Sequence, residues 1–190
     1  MLIDRMIYPI ESLGPGQRLV IWTVGCSKHC LKCANPELWQ SNLDKNISLA
    51  RIQTCIEEIC QKQQVDGITF TGGDPLEQYS QLAVLLPLIR PLTDDILIYT
   101  GYTLTEAESA IPADMWSAIR ANTDVLIDGR YVESLNTSSC VLRGSANQVI
   151  HYFNADAQDR YIDYMSKGRI IQNVFYGDRL ISTGIHNRGN

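Results

Sequence analysis

Three cysteines, Cys26, Cys30 and Cys33, fall within the stretch "WTVGCSKHCLKCANPE" at 22–37, spaced C-x-x-x-C-x-x-C. Thiols this close have a few chemical uses. A structural zinc takes four ligands, usually as two separated pairs. Here the fourth would have to be His29 or a remote residue, because there is no second C-x-x-C. A disulfide between two of them would strand the third and would not survive in a reducing compartment. A cubane [4Fe–4S] cluster is normally held by four thiolates. Held by three, it leaves one iron open to bind a substrate. The spacing favours this three-legged arrangement, with His29 a loop residue beside it rather than a ligand.

The other three cysteines have plainer readings. In "SLARIQTCIEEICQKQQ", Leu49, Ile52, Ile56 and Ile59 recur at helical spacing, with Ser48 placed to cap the helix. Cys55 and Cys60 flank that stripe and read as small buried hydrophobes. Cys140, in "NTSSCVLRG", has no cysteine or histidine at ligand spacing and reads as incidental.

A second stretch, "TFTGGDPL", sets Thr71, Gly72, Gly73, Asp74 and Pro75 at the end of an apolar, β-rich run. In α/β folds ligands bind at the carboxyl ends of the strands, and glycines there let a ligand come close to the backbone. Taken alone, the stretch reads as an ordinary strand-to-helix turn, with Asp74 as N-cap and Pro75 at the first helical position. Following a three-cysteine loop, the combination is far more specific.

The elements that must position these residues alternate. A strand is expected at about Ile68–Thr71, then a helix through Leu82, Leu85, Leu86 and Ile89 that Pro87 ends or kinks. "ILIYTG" is a strand, "TLTEAESA" opens a helix with a Thr103–Glu106 capping box, "DMWSAIRA" is a short helical piece and "DVLIDG" is a strand. This alternation predicts a parallel sheet covered by helices. A closed eight-fold barrel needs about 250 residues; with 190, the chain is expected to form an open, incomplete β/α barrel. One domain is expected over 1–190.

Composition narrows the classes. The net charge is −5 and the sixteen Lys and Arg are scattered, so no basic stripe marks a nucleic-acid partner. No apolar run is long enough for a bilayer, and "MLIDRMIYPIESLGPG" does not read as a signal peptide. A cytoplasmic location is expected, and six cysteines there argue for metal or redox chemistry before disulfides.

Together these residues resemble the radical S-adenosylmethionine (SAM) superfamily. The resemblance narrows through "GPGQRLVIWTVGC", "CANPELW", "TGGDPL", "YTGYTL", "DVLIDGRYV" and "LRGSANQVIH", which stand in the order found in activating enzymes of anaerobic ribonucleotide reductase and span nearly all of residues 14–151. The resemblance implies an open parallel β/α barrel of the radical SAM type and a [4Fe–4S] cluster on Cys26, Cys30 and Cys33. It implies SAM on the open iron, with main chain around Lys32 to Ala34 facing it. Thr71, Gly72, Gly73 and Asp74 would hold its methionine end, with Thr100 and Gly101 on the same rim. Reduced cluster would cleave SAM to methionine and a 5′-deoxyadenosyl radical, which abstracts hydrogen from a glycine of a large glycyl-radical protein such as anaerobic ribonucleotide reductase. An electron donor such as flavodoxin or ferredoxin is implied. The same chemistry on another protein, peptide or small molecule is the alternative; an iron–sulfur electron carrier fits less well, because it would not need "TGGDP".

Two departures stand out. Many superfamily members carry an aromatic residue before the third cysteine, where this chain has Lys32. Activases of this type end soon after the block matching "SANQVIH", whereas this chain continues. Its extension, 152–190, reads as a helix over about 156–166 and a hairpin, "RIIQNVFY" and "RLISTGI", turning at Gly177 and Asp178. It is expected as an added sheet edge or as a surface for a different partner. "GPGQR" at 14–18 is expected to line the opening or to be a connecting turn. Arg143 suggests a carboxylate ligand or an ion pair. Asp128 and Arg130 suggest a pair that positions a partner loop or, more simply, a turn with Gly129.

Overall fold

Every residue of "RLVIWT" is buried, as a strand covered on both faces requires. In the computed structural model, which describes residues 1–186, it forms β2 (Arg18–Thr23). β2 pairs in parallel with β3 (Gly67–Gly72), β3 with β4 (Ile96–Tyr99), and β4 with β5 (Val125–Asp128). Antiparallel strands close both edges: β1 (Ile3–Ile10) on β2, and β6 (Val149–Tyr152) on β5. The result is a six-stranded sheet in the order β1 to β6. The expected parallel sheet covered by helices is present as four parallel strands, and two antiparallel edge strands flank it. The edge strands escape a sequence reading because one face of each is partly solvated. β1 carries Asp4 and Arg5 among its apolar residues, and β6 is four residues long with none buried.

Helices cover one face. α1 (Leu49–Lys62) starts where expected, the Ser48 hydroxyl accepting from the Arg51 N–H, and buries Ile52 and Ile56. α2 (Tyr79–Ile89) runs two residues past Pro87. The proline falls on the exposed side, while Leu82, Leu85, Leu86 and Ile89 are fully buried, so packing holds the last turn without its missing N–H. α3 (Leu104–Ala110) forms its Thr103–Glu106 capping box, and α4 (Ala113–Ala121) buries Trp116 and Ile119. These residues meet Leu19, Ile21, Ile68, Phe70, Ile96 and Ile98 of the sheet. Of the cysteines outside the triplet, Cys55 and Cys60 are only half-buried, while Cys140 is fully buried.

The C-terminal extension covers much of the other face. α5 (Gln158–Ser166) lays Tyr161 and Tyr164 against Leu97, Val125 and Ile127. β7 (Ile171–Tyr176) and β8 (Arg179–Gly184) form a separate two-stranded sheet. The hairpin itself is as expected, but it is not an added edge of the main sheet.

"GPGQR" is placed at the amino end of β2, opposite the cysteine loop, so it does not line the opening. Its conspicuous residue is Arg18, fully buried. The guanidinium donates to Asp95 Oδ2 at 2.8 Å, to Thr69 Oγ1 at 2.7 Å and to the carbonyls of Pro15 and Ile68. The Tyr161 hydroxyl donates to Asp95 Oδ1 at 2.7 Å, tying α5 into the same network. Among the described residues, no helix is long and apolar enough to cross a membrane.

Candidate functional site

The cysteine loop leaves β2 at the carboxyl edge of the parallel strands, the edge where this class of sheet presents its ligands. Its backbone bends sharply. The Cys33 N–H donates to the Cys30 carbonyl at 3.1 Å, closing a four-residue turn. Lys32, the third residue of that turn, takes φ 56°, and His29 takes φ 45°. These left-handed residues turn the loop back on itself, and Cys26, Cys30 and Cys33 line one cavity of about 190 Å³. The Asn35 N–H lies 3.4 Å from Cys33 Sγ. Burial raises the Cys26 thiol above its ordinary value, opposed by backbone hydrogen bonds from Lys28 and His29. The His29 ring packs against Trp39, centroids 4.9 Å apart. Among the described residues, no three His, Cys, Asp or Glu side chains converge as they would on a single metal ion.

Lys32 and Ala34 line the cavity too, as do Thr71, Gly72 and Gly73 at the end of β3 and Thr100 and Gly101 after β4. Of the residues expected to hold the cluster or SAM, Asp74 alone does not. Its carboxylate is buried and turned inward. Oδ1 accepts from the Leu76 N–H at 3.1 Å and the Thr100 hydroxyl at 2.8 Å, and Oδ2 from the Gly101 N–H at 3.0 Å. Burial pushes its pKa up to about 6 against these bonds and the nearby charge of Lys28. Asp74 thus stands behind the cavity wall, 1% exposed. It caps the turn at Leu76 and holds the β3 and β4 loops in register.

Lys28 was not legible in the sequence, where a lysine between two cysteines looks like any solvated charge. Its ammonium is almost wholly buried, 2.8 Å from Glu77 Oε1, 3.8 Å from Asp74 Oδ2 and 3.2 Å from the centroid of the Tyr102 ring. Burial works to lower its pKa, but the Glu77 hydrogen bond and the Asp74 charge hold it above the ordinary value. One side chain therefore joins the cysteine loop to the turns after β3 and β4. Lys32 instead reaches outward to Glu133 Oε1 at 2.6 Å.

The far wall was also missed. Gln148 Oε1 accepts from the Gly144 and Ser145 N–H groups, and its amide donates to the Gly129 carbonyl at 2.8 Å. This folds "RGSANQ" over the end of β5, so Gln148 rather than Arg143 is its organising residue. Arg143 donates to the Gln148 carbonyl at 2.8 Å. Asp128 accepts from the Leu104 N–H and contacts His151 Nε2 at 2.9 Å. Arg130 lies 3.8 Å from Glu106.

The glycines have a tighter reason than ligand access. A Cβ on Gly73 would lie 2.4 Å from the Gly25 carbonyl oxygen, and one on Gly72, at φ 107°, 2.6 Å from the Thr23 backbone. The β3 turn is thus pressed against the base of the cysteine loop. Gly73→Val is expected to cost about 1–3 kcal/mol or more through overpacking and to lower iron content after reconstitution, because the Gly25 backbone beside Cys26 must move. Thermal melting and iron analysis check this; wild-type values in both would contradict it.

Residues 12–151 match the family described as "4Fe-4S single cluster domain". The chain is similar to the anaerobic ribonucleoside-triphosphate reductase-activating protein of Vibrio cholerae serotype O1, 32% identical over 152 residues, 77% of this chain and 95% of that protein. The protein of that name from Escherichia coli (strain K12) is 30% identical, over 76% of this chain and 95% of its own. The one from Enterobacteria phage T4 is 32% identical, over 78% and 92%.

Proposed function

The chain belongs to the family of anaerobic ribonucleoside-triphosphate reductase-activating proteins, a 4Fe-4S single-cluster family, and from that premise we propose that it is a radical SAM enzyme that forms a glycyl radical on a partner reductase. The reading is supported above all by one observation: three thiols and three backbone turns from successive strands meet on a single cavity. The donor set fits the cofactors. Three cysteines without a fourth suit a cluster with one open iron, and a cubane spreads its thiolates over separate irons rather than gathering them on one ion.

When bound, the cluster and SAM supply the one-electron cleavage that yields methionine and a 5′-deoxyadenosyl radical, which takes a hydrogen atom from the partner glycine. The protein binds, orients and excludes water. Cys26, Cys30 and Cys33 hold the cluster. The Lys32–Ala34 backbone and Thr71–Gly73 face SAM, and Thr100 and Gly101, fixed by Asp74, complete the rim. Lys28, Asp74 and Glu77 keep the three turns at constant spacing. The architecture assigned to this chemistry is the open β/α barrel of the radical SAM type, in a single domain. The partner is a large glycyl-radical protein, and the electron comes from a flavodoxin- or ferredoxin-like donor.

Electron paramagnetic resonance tests the proposal. Reduced protein, SAM and the anaerobic ribonucleoside-triphosphate reductase of the same cell are expected to give a doublet on the reductase that disappears when its glycine is replaced. SAM cleavage with no radical on the reductase would remove it as the target.

A further inference from the structure

The family match stops at residue 151, and relatives using 95% of their own length reach only 77% of this chain. The extension beyond that point is nevertheless built into the site. Gly184, Ile185 and His186, where β8 ends, line the same cavity as the three cysteines. The Asn136 side-chain amide donates to the His186 carbonyl at 3.0 Å. Arg169, just before β7, donates to Asn136 Oδ1 at 2.7 Å and to the Cys140 carbonyl at 2.8 Å. A second set of bonds holds the inner face of the hairpin. Gln172 accepts from the Glu11 N–H at 2.8 Å and donates to the Pro9 carbonyl at 3.0 Å, and the Thr183 and Ser12 hydroxyls lie 2.7 Å apart. Val174 and Ile181 pack into the core between these bonds.

The outer face is different. Alternation along the strands puts Ile171 and Phe175 of β7 and Leu180 of β8 on it, with Phe175 directly opposite Leu180. They are 47%, 79% and 62% exposed. The paired Asn173 and Ser182 lie between them on the same face. A docked hairpin with a satisfied inner face and an outer face carrying exposed apolar residues, running at one end into the cavity, has the form of a recognition wall.

We propose that the β7–β8 hairpin selects the partner: Gly184–His186 form one side of the cavity mouth, and the outer face carrying Ile171, Phe175 and Leu180 seats the protein whose glycine loop enters there. This rests on the activase reading. The occupant follows from continuity. A loop entering the cavity along its Gly184–His186 side passes the end of β8, and the protein carrying it covers the hairpin beside that side. A strand pair of this kind is well suited to hold an extended backbone by apolar contact at its side.

The test uses the full chain with its cluster reconstituted, comparing wild type with the surface variant Phe175→Asp/Leu180→Asp. Iron content and partner-free cleavage of SAM to 5′-deoxyadenosine are expected to be unchanged. Affinity for the anaerobic reductase by calorimetry is expected to fall at least about tenfold, as for removal of a central apolar contact, with a matching rise in the reductase concentration needed for half-maximal radical. In wild type, amides of 171–186 are expected to gain hydrogen-exchange protection when the reductase is added. Equal affinity and radical yield in both proteins, without that protection, overturns the proposal alone. A wild-type dimer dissociated by the substitutions assigns the face to a second copy and also overturns it. Failure of wild type to bind the reductase or place a radical on it defeats the activase reading, and this proposal with it.

Discussion

Alanine at Cys26, Cys30 or Cys33 is expected to abolish the cluster and, with it, all reductive cleavage of SAM. The effect is total rather than graded, because three thiolates already leave one iron open and a cluster on two has no stable closed form here. Anaerobically reconstituted wild type should carry about four irons per chain, and each single variant close to none. Cys55→Ala, Cys60→Ala and Cys140→Ala are expected to keep full iron content. Cys55 and Cys60 are half-buried on α1, and Cys140 is buried in a loop beside Thr137. Cys140→Ala should still cost some stability, since its side chain is fully buried and a small cavity follows. Iron analysis, the absorbance of the cluster and 5′-deoxyadenosine formation read the result together. A Cys140 variant without a cluster, beside a Cys33→Ala variant that retains one, would reverse the ligand assignment.

The second large effect is expected at the opposite end of the sheet. Asp95→Asn should destabilise the protein by about 3–5 kcal/mol, because it leaves the fully buried Arg18 guanidinium without a counter-charge. At about 2–4 °C per kcal/mol for a chain of this size, the melting temperature should fall by roughly 6–20 °C. Tyr161→Phe removes one hydrogen bond to the same carboxylate and should cost only about 1 kcal/mol. The ratio between the two variants is the informative quantity. Comparable losses would mean that the ion pair contributes little and that docking of α5 dominates. Neither variant touches the cavity, so the iron content of the folded fraction should stay at the wild-type level.

The two regions differ in how far they could be read beforehand. The cysteine loop and the glycine turn were legible because their chemistry depends on residue type at short spacing. Asp74 was legible as a conspicuous residue and as an N-cap, but not in its long-range partners. Its neighbours in sequence suggest a ligand contact, whereas its partners Thr100 and Gly101 belong to the next strand. Lys28 was missed for the same reason, and Gln148 in part: its bonds to Gly144 and Ser145 are local, but its bond to the Gly129 carbonyl comes from a distant turn. Arg18 stands beside two glycines in a segment that looks like a connector, and only the approach of Asp95 and Tyr161 makes it a core residue.

By itself the sequence determined the alternating α/β class, the parallel run from β3 to β5, the cysteine triplet, the glycine turn and the C-terminal helix and hairpin. Each of these rests on local interactions: periodic burial, capping, turn conformation and thiol spacing. Tertiary structure alone decided that the sheet has antiparallel edges, that Asp74 faces inward, that Lys28 joins three turns and that β8 ends in the cavity wall. Those outcomes depend on contacts between residues distant in the chain. A side chain carries no local mark of which strand, loop or charge will be folded against it.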